Sequence, residues 1–215
     1  MRALTILGAS GFAQQVAWVV RRQGALDVVA FLDETIAEPT EVDAVPVLTT
    51  TADVVSQHAE SQVISAVGST ALRRRWADTF AATHEFATVV DPSAALAKSA
   101  SVGRGCVLMP GAVCSPRVQV GQHTLLGFHT CLSHDTHVGD FTHLASGVIV
   151  SGRVRIGHGC RIGAGAIVLP DVVVGDGAIV GAGAVVTKNI PDGETVAGVP
   201  ARALKKQNEG EPSPS

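Results

Sequence analysis

The sequence is poor in aromatic residues, and this scarcity limits the kind of core that it can build. Its 215 residues include no Tyr, 2 Trp and 6 Phe, so aromatic residues make up 4% of the chain although 46% of it is hydrophobic. A core without large rings has to be thin and aliphatic, as in a solenoid whose layers are each small.

The sequence also lacks the features that mark several other classes of protein. The four cysteines form no C-x-x-C pair, which argues against a structural zinc site or a secreted disulfide framework and favours reduced, packed thiols. The net charge of −3 provides no basic surface for nucleic acid or for an anionic membrane. No apolar run reaches the roughly 18 residues that span a bilayer, and the N-terminus has no secretory signal pattern. We therefore expect a soluble, cytoplasmic protein without nucleic-acid or membrane partners.

Residues 1–88 alternate strand-like and helix-like segments. RALTILGAS, DVVAFLDE, PVLTT and SQVISAVGS have the composition of strands, while GFAQQVAWVVRRQG, TADVVSQHAE and TALRRRWADTFAATH have the apolar spacing of helices. The first of these helices ends at Gly24, which suits a helix C-terminus. Strands and helices alternating at this spacing predict a parallel sheet with helical crossovers, that is, a Rossmann-like α/β domain over residues 1–88.

From residue 89 the period of the sequence changes to six. Every sixth residue from Val90 to Val186 is aliphatic except Cys114, and four residues after each of them stands Ala, Cys, Val, Thr or Ile. Glycine often follows the aliphatic residue directly, as in VGRGC, VGDFT and VGAGA. This pattern suits a triangular coil in which each side is a short strand, the bulky residue points to the axis and glycine supplies the freedom for the turn. The hexads therefore predict an all-β parallel β-helix over residues 89–204, with three hexads in each coil.

Polar residues of this second part concentrate in LSHDTHVGDFTH, residues 132–143. Five of the eight histidines lie at positions 123–143. The hexad pattern leaves His134 and Asp135 outside the core, on a face or corner that is open to solvent or to a neighbouring chain. Three interpretations remain open at this point: a solvated surface, a zinc site that uses His129 and His134, and a catalytic base.

Several motifs resemble a known family. Hexapeptide arrays of this kind are the hallmark of left-handed parallel β-helix acyltransferases, and AGVPAR at 197–202 resembles the C-terminal segment of the coenzyme-A-dependent members. Within that superfamily, the run HDTHVGDFTH at 134–143 is similar to the motif of NeuD/PglD-like sugar acetyltransferases, an H-D pair, a hydrophobic-G-acid step and an aromatic-x-H step. The left hand of the helix follows from this resemblance alone, since most parallel crossovers are right-handed. The resemblance spans residues 3–204.

The resemblance assigns catalytic roles to residues at matching positions. It implies that His134 is the general base, that Asp135 orients its ring, that His143 acts near the acyl carbonyl and that the amide of Gly152 donates to the oxyanion. A neutral imidazole beside a carboxylate suits this chemistry, because attack on a thioester releases a proton near neutral pH. A thioester is already activated, so this interpretation needs no metal. Carbonic anhydrases of the γ class, which share the fold, also use a histidine from two coils earlier, where this chain has Ser93.

The resemblance further implies a homotrimer that binds acetyl-CoA. In this family the donor lies in a groove between the β-helices of adjacent subunits, against glycine-rich coils and basic residues. The matching residues are Gly163, Gly165, Gly181, Gly183, Lys188 and Arg202. The polar tail at 205–215 is expected to be disordered.

The N-terminal part is similar to the nucleotide-sugar domain of the same enzymes. A glycine turn between strand and helix can present amides to a phosphate, and acids after the second strand can reach a ribose or a base. The candidate acceptor residues are Gly8, Ser10, Gly11, Phe12, Asp33, Glu34, Gly68, Ser69, Arg73 and Gly127. Three of them depart from the family pattern: Phe12 replaces a histidine, and Ser69 and Gly127 each replace an asparagine.

Together these observations predict an acetyl-CoA-dependent N-acetyltransferase that acts on the amino group of a nucleotide-linked amino sugar. O-acetylation of a sugar such as a sialic acid uses the same base and is the first alternative. A zinc hydratase similar to the γ-class carbonic anhydrases and a non-catalytic trimeric scaffold are the alternatives from other classes.

Overall fold

The N-terminal part is a five-stranded sheet with three helices. The computed structural model describes residues 1–38 and 40–204. The elements of this part are β1 (Arg2–Leu7), α1 (Gly11–Gln23), β2 (Leu26–Leu32), β3 (Thr40–Val42), β4 (Val45–Leu48), α2 (Thr51–Gln57), β5 (Gln62–Ser65) and α3 (Thr70–Phe80). The strand order is β3-β4-β2-β1-β5, and all pairs are parallel except the β3–β4 hairpin. The predicted α/β topology is confirmed; β3 was not predicted, because this short edge strand buries little apolar surface and leaves no pattern.

Three loops lie side by side at the carboxyl ends of the strands, because β2, β1 and β5 are adjacent and parallel. They carry Gly8 after β1, the acids Asp33 and Glu34 after β2, and Gly68 after β5. Gly8 has a left-handed φ of 118°, and a Cβ there would lie 2.9 Å from Cγ1 of Val67. Glycine is therefore required at this turn. The turn lies at the carboxyl ends of the strands, where open α/β sheets bind their ligands.

Residues 89–203 wind into a triangular coil of three sheets, which we number as faces 1 to 3. Face 1 contains β6 (Val89–Val90), β9 (Val107–Leu108), β12 (Leu125–Leu126), β15 (His143–Leu144), β18 (Arg161–Ile162), β21 (Ile179–Val180), β23 (Thr195–Ala197) and β24 (Arg202–Ala203). Face 2 contains β7 (Ala95–Leu96), β10 (Val113–Cys114), β13 (Cys131–Leu132), β16 (Ile149–Val150), β19 (Ile167–Val168) and β22 (Val185–Val186). Face 3 contains β8 (Ser101–Val102), β11 (Gln119–Val120), β14 (His137–Val138), β17 (Arg155–Ile156) and β20 (Val173–Val174).

The hexad pattern corresponds to the inside of this coil. Residues 18 positions apart pair in parallel, as Leu126 does with Leu144, and both side chains are fully buried. The small residue of each hexad is also inside, as predicted for Thr136, whose hydroxyl donates to the carbonyl of Ser151 at 3.0 Å. The last coil is shorter, since Val180 pairs with a residue only 16 positions later, Val196.

Glycine occurs at two positions of the corners and has a different function at each. The prediction assigned the turn to the glycine directly after the aliphatic residue, which is not the left-handed residue. The glycine directly after the aliphatic residue packs on the next coil: a Cβ on Gly163 would lie 2.5 Å from the backbone N of Ala182. The left-handed residue comes two positions later, as in Gly165 with φ 68°. The left-handed corner residues that carry a side chain are Arg117, His123, His129, Asp135, Phe141, Arg153 and Asp171. Because this conformation is costly for side chains, these corners invite a functional explanation.

The two parts of the chain share a core. Outward-pointing Val107 and Leu125 of face 1 are buried in the same cluster as Val16 of α1. Arg22 of α1 donates two hydrogen bonds, of 2.7 and 3.2 Å, to the buried carboxylate of Asp91 in the first coil. Burial raises the pKa of Asp91, but the bonds from Arg22 and Ser93 outweigh it and lower the pKa to about 2. An ionised pair thus joins the sheet domain to the coil.

Some of the sequence-based expectations concern the chain as a whole. The four cysteines are free thiols, three of them buried, as predicted. Within residues 1–38 and 40–204, no helix is long and apolar enough to cross a bilayer. The predicted tail at 205–215 lies outside the described residues, and the division of the chain at residues 88 and 89 stays a prediction.

Candidate active site

His134 and Asp135 form a hydrogen-bonded pair at the corner between face 2 and face 3. Asp135 occupies the left-handed corner position with φ 61°. Nδ1 of His134 lies 2.7 Å from Oδ2 of Asp135, and the imidazole side chain is 50% exposed. When the carboxylate accepts a hydrogen bond from Nδ1–H, Nε2 is the ring nitrogen that carries no proton and can accept one. The pair is therefore arranged to take a proton from a nucleophile at Nε2.

Arg117, which sequence reasoning did not single out, holds the other side of this carboxylate. Its Nε and Nη2 lie 2.6 and 2.9 Å from the two oxygens of Asp135. Hydrogen bonds from Arg117 and then from His134 hold the pKa of Asp135 far below its usual range. The carboxylate is consequently ionised at neutral pH. The signal for Arg117 was present in the sequence, because it precedes Asp135 by 18 residues, the length of one coil.

Gly152 lies against the His134 ring in the next coil. A Cβ on Gly152 would be 2.7 Å from both Cε1 and Nε2 of the imidazole. Each of the other residues that occupy this corner position, at every sixth residue from Lys98 to Lys188, has a side chain. Within the described residues, the Gly152 amide donates to no backbone carbonyl. The backbone of Gly152 therefore lies against Nε2 of His134, at a corner position where the other hexads have a side chain. We call His134, Asp135, Gly152 and Arg117 the base corner.

His143 lies on face 1, under the loops of the α/β sheet. The centroid of its ring is 6.4 Å from that of Phe12, and a Cβ on Gly68 would lie 4.0 Å from its Cε1. Burial, reinforced by the charges of Arg73 and Arg161, lowers the pKa of His143 to about 4. The imidazole is therefore neutral at neutral pH and offers one donor and one acceptor.

The structure does not bring His134 and His143 together within one chain. His134 lies at the corner between faces 2 and 3, whereas His143 belongs to face 1, the side of the triangle opposite that corner. Their proximity in sequence suggested one local cluster. The folded chain instead carries the base corner on one side and a second group of polar residues, around His143, on the other.

An open pocket of about 450 Å³ lies beside His143. It is lined by Gly68, Ser69, Thr70, Ala71 and Arg161. We call it the acceptor pocket, because Gly68 and Ser69 are predicted to bind the acceptor. Arg161 is the direct β-partner of His143 in the next coil. Sequence reasoning missed Arg161, although a step of 18 residues from His143 leads to it. The pocket is therefore built jointly by a loop of the α/β sheet and by face 1.

Arg73 is buried beneath the Gly68 loop. Its guanidinium is fully buried and donates to the carbonyl oxygens of Val67, Gly68 and Phe141. Burial is the main reason that its pKa falls to about 10, so it remains charged at neutral pH. Arg73 thus fixes the Gly68 loop against the β-helix, and its predicted contact with the substrate stays a prediction.

The first glycine turn is open, whereas the acids after β2 are engaged. Ser10 precedes α1 with a hydroxyl that makes no capping hydrogen bond, and Gly11 has open space where a side chain would be. Asp33 accepts hydrogen bonds from the amide and hydroxyl of Thr35, at 3.0 and 2.6 Å. Glu34 forms an ion pair with Arg75. The amides of the turn are thus the readier partners for a ligand.

Family models match both parts of the chain. Residues 3–80 match the PglD N-terminal domain, and residues 153–188 match the bacterial transferase hexapeptide model of six repeats. Among curated proteins, none matches the chain significantly.

Solved structures match nearly the whole chain. The acetyltransferase domain of PglB from Neisseria gonorrhoeae FA1090 is 33% identical, with a TM-score of 0.89 over 95% of this chain and 100% of that one. WeeI from Acinetobacter baumannii AYE is 30% identical, with a TM-score of 0.87 over 95% of this chain and 100% of that one. This chain belongs to the NeuD/PglD-like sugar acetyltransferases. A third neighbour is a histidine-to-asparagine variant of perosamine N-acetyltransferase from Caulobacter crescentus, in complex with CoA and GDP-perosamine. It is 28% identical, with a TM-score of 0.89 over 95% of this chain and 97% of that one.

The acetyltransferase therefore has the left-handed parallel β-helix of its family, with the predicted donor residues at two corners and on strand β24. The four glycines Gly163, Gly165, Gly181 and Gly183 lie at the corner between faces 1 and 2. Lys188 and Arg202 line one shallow pocket of about 220 Å³ at the last coil. Lys188 is in the same corner column as His134, three coils further along, which is about 14 Å at the usual spacing of strands. Face 2 thus lies between the corner that carries these four glycines and the base corner.

Gly127 lies at the corner between faces 1 and 2, away from the base corner of the same chain. A Cβ there would be 2.5 Å from the backbone N of Ser146, so restoring the asparagine of the family pattern requires the neighbouring coil to move. Gly127 does not line the acceptor pocket. Its predicted contact with the acceptor stays a prediction.

The histidines of the acetyltransferase are not arranged as a metal site in the part of the chain that the structure describes. No group of three or more His, Cys, Asp or Glu side chains there could hold a metal ion. His129 lies at the corner between faces 1 and 2 and His134 at the next corner, where its Nδ1 is bound to Asp135. His123 is buried and stacks on Phe141 at 4.9 Å, so it is part of the packing.

Proposed function

We propose that this acetyltransferase moves the acetyl group of acetyl-CoA to the amino group of a nucleotide-linked amino sugar, with His134 as the general base. The observation that carries the proposal is the His134–Asp135 pair at 2.7 Å, half exposed and in contact with Gly152. PglB has been solved with acetyl coenzyme A, and perosamine N-acetyltransferase with CoA and GDP-perosamine. Acetyl coenzyme A contains the donor thioester and GDP-perosamine the nucleotide-linked amine, which are the two kinds of substrate that we propose.

The base corner provides the groups that the reaction needs. As the amine nitrogen attacks the thioester carbonyl and the C–N bond forms, Nε2 of His134 takes the proton of the amine. Asp135 accepts a hydrogen bond from the Nδ1–H group throughout and stabilises the imidazolium. The amide of Gly152 donates to the oxyanion. When the C–S bond breaks, the imidazolium returns its proton to the departing thiolate, which leaves as CoA.

The acceptor side combines the open turn at Gly8 with the pocket at Gly68. The amides of Ser10 and Gly11, at the start of α1, suit a diphosphate. Neutral His143 lies close to Gly68 of this pocket and suits a hydrogen bond to the sugar or to the acyl oxygen. Arg161 adds one positive charge to the same pocket.

The opposite positions of His134 and His143 imply that the complete site forms between two subunits of a homotrimer. Face 2, beside the base corner, has an outward ladder that is apolar throughout, unlike that of face 3. Its members are Ala95, Val113, Cys131, Ile149, Ile167 and Val185. Ile149 is 45% exposed in the single chain. An exposed apolar sheet face of this kind favours contact with a second copy.

A thiol-release assay tests the proposal, with acetyl-CoA and a panel of amino and hydroxy sugars that includes GDP-perosamine. We expect His134→Ala to lose at least about 100-fold in turnover because the general base is lost, while light scattering still reports a trimer. Wild-type activity in this variant would contradict the role of His134.

Mixed trimers test whether the site is shared between subunits. His134→Ala and His143→Ala subunits, each inactive alone, are co-expressed with different tags. One site in about four then combines an intact His134 with an intact His143 from the neighbour, so about a quarter of the wild-type activity returns. Mixed trimers without activity would show that both histidines must come from one chain.

A further inference from the structure

Arg117 is connected to the proposed base through Asp135, and the mechanism described so far does not use it. Oδ2 of Asp135 lies 2.9 Å from Nη2 of Arg117 and 2.7 Å from Nδ1 of His134. The second carboxylate oxygen lies 2.6 Å from Nε of Arg117. Arg117 also occupies a left-handed corner, with φ 63°, where glycine would fit without strain.

The same corner contains a second pair that has no histidine. Arg153 donates two hydrogen bonds, of 2.7 and 2.8 Å, to Asp171, and their φ angles are 63° and 64°. This pair is two coils further along, and Pro170 precedes Asp171 where His134 precedes Asp135. The chain thus contains its own control, a pair of similar geometry whose carboxylate accepts no hydrogen bond from a histidine within the described residues.

We propose that Arg117 is a positioning residue for the catalytic base: its two bonds fix the plane of the Asp135 carboxylate and thereby hold the His134 ring with Nε2 toward the substrate. This proposal rests on the proposed role of His134. A bidentate guanidinium sets the orientation of a carboxylate as a single point charge cannot. Exposed ion pairs contribute little to folding stability, and the Arg117 side chain is 64% exposed. Its loss should therefore affect the rate and leave the fold intact.

Steady-state kinetics of four variants test the proposal. We expect Arg117→Gln to lower kcat between about 10- and 100-fold, because the base is misplaced, with KM for both substrates within about twofold of wild type. Arg117→Lys keeps the charge but not the fork and should recover part of the rate. Arg117→Gly relieves the backbone strain, so it should keep the melting temperature and lose the rate. Asp171→Asn, the matched control, should have wild-type kinetics.

Several outcomes would overturn the proposal. They are wild-type kcat in Arg117→Gln, a rise in KM for acetyl-CoA at unchanged kcat, which would indicate a contact with the donor, and an equal loss in Asp171→Asn. A further test combines Arg117→Gln with His134→Ala, where Arg117 should have no additional effect. If His134→Ala itself is fully active, the proposed function fails; if only Arg117→Gln is fully active, the failure is confined to Arg117.

Discussion

Replacing Gly152 with alanine tests whether the His134 ring has to lie on bare backbone. The new Cβ would be 2.7 Å from both Cε1 and Nε2, whereas ordinary contacts begin at 3.4 Å. The backbone itself should accept the change, because Gly152 has no left-handed φ and alanine already occupies the equivalent corner position at Ala164 and Ala182. The half-exposed imidazole is the mobile partner, so the ring should move.

The size of this movement determines the expected loss. Relief of the contact requires the ring to shift by about 0.7 Å, which is comparable with the misplacement that costs up to about 100-fold in rate. A shift of that size also disturbs the 2.7 Å hydrogen bond between Nδ1 and Asp135. We therefore expect kcat of Gly152→Ala to fall between about 10- and 100-fold. Gly152→Ser, with one more atom at the same place, should lose at least as much.

Initial rates of thiol release at saturating concentrations of both substrates measure this effect. The melting temperature and the affinity for acetyl-CoA, from calorimetry, serve as controls and should remain near wild type, because the methyl group displaces only an exposed side chain. A Gly152→Ala enzyme with wild-type kcat would refute the close packing of His134 on Gly152 as a requirement of the reaction. A loss of rate that is matched by a loss of folded protein would refute the reasoning about the backbone.

Two further predictions concern the stability of the fold. Burial is the main reason that the pKa of His123 and of His143 falls from 6.5 to about 4. Between these values the unfolded chain binds more protons than the folded one, so the melting temperature should be highest above pH 6.5 and decrease as the pH falls to 4. His123→Asn should show a shallower decrease. An equal slope in this variant would contradict the contribution of His123 to the pH dependence. Asp91→Asn should lower the melting temperature by about a few degrees, since it breaks the buried ion pair between α1 and the first coil, whereas Asp43→Asn, which breaks an exposed pair, should not.

The hexad pattern predicted the β-helix because each hexad repeats the same physical requirement. One bulky residue has to fill the axis and one small residue has to fit beside it, and Leu144 and Val148 meet this requirement inside the coil. The corners are less predictable, because the left-handed position contains glycine in some coils and Arg, His, Asp or Phe in others. Period alone therefore located Asp135 outside the core but did not reveal Arg117 beside it.

The acceptor side was harder to predict from the sequence. Gly68 and Arg161 are 93 residues apart and meet only because the α/β sheet packs on face 1. Arg73 resembled a ligand-binding residue, since it follows the Gly68 loop on a helix. Its burial under that loop depends on the carbonyl of Phe141, a contact between the two parts of the chain that no local pattern encodes.

The separation of His134 and His143 follows from the length of a coil. One coil contains 18 residues, so two residues nine positions apart differ by half a turn and face opposite sides of the prism. Their position in a single short motif therefore argues against one catalytic site in one chain and in favour of two half-sites. A head-to-tail contact, in which one surface of a subunit meets a different surface of the next, joins such half-sites, and it can close into a ring of three. If the proposed site is correct, the chemistry requires two subunits, because a single prism cannot bend far enough to bring Nε2 of His134 to its own acceptor pocket.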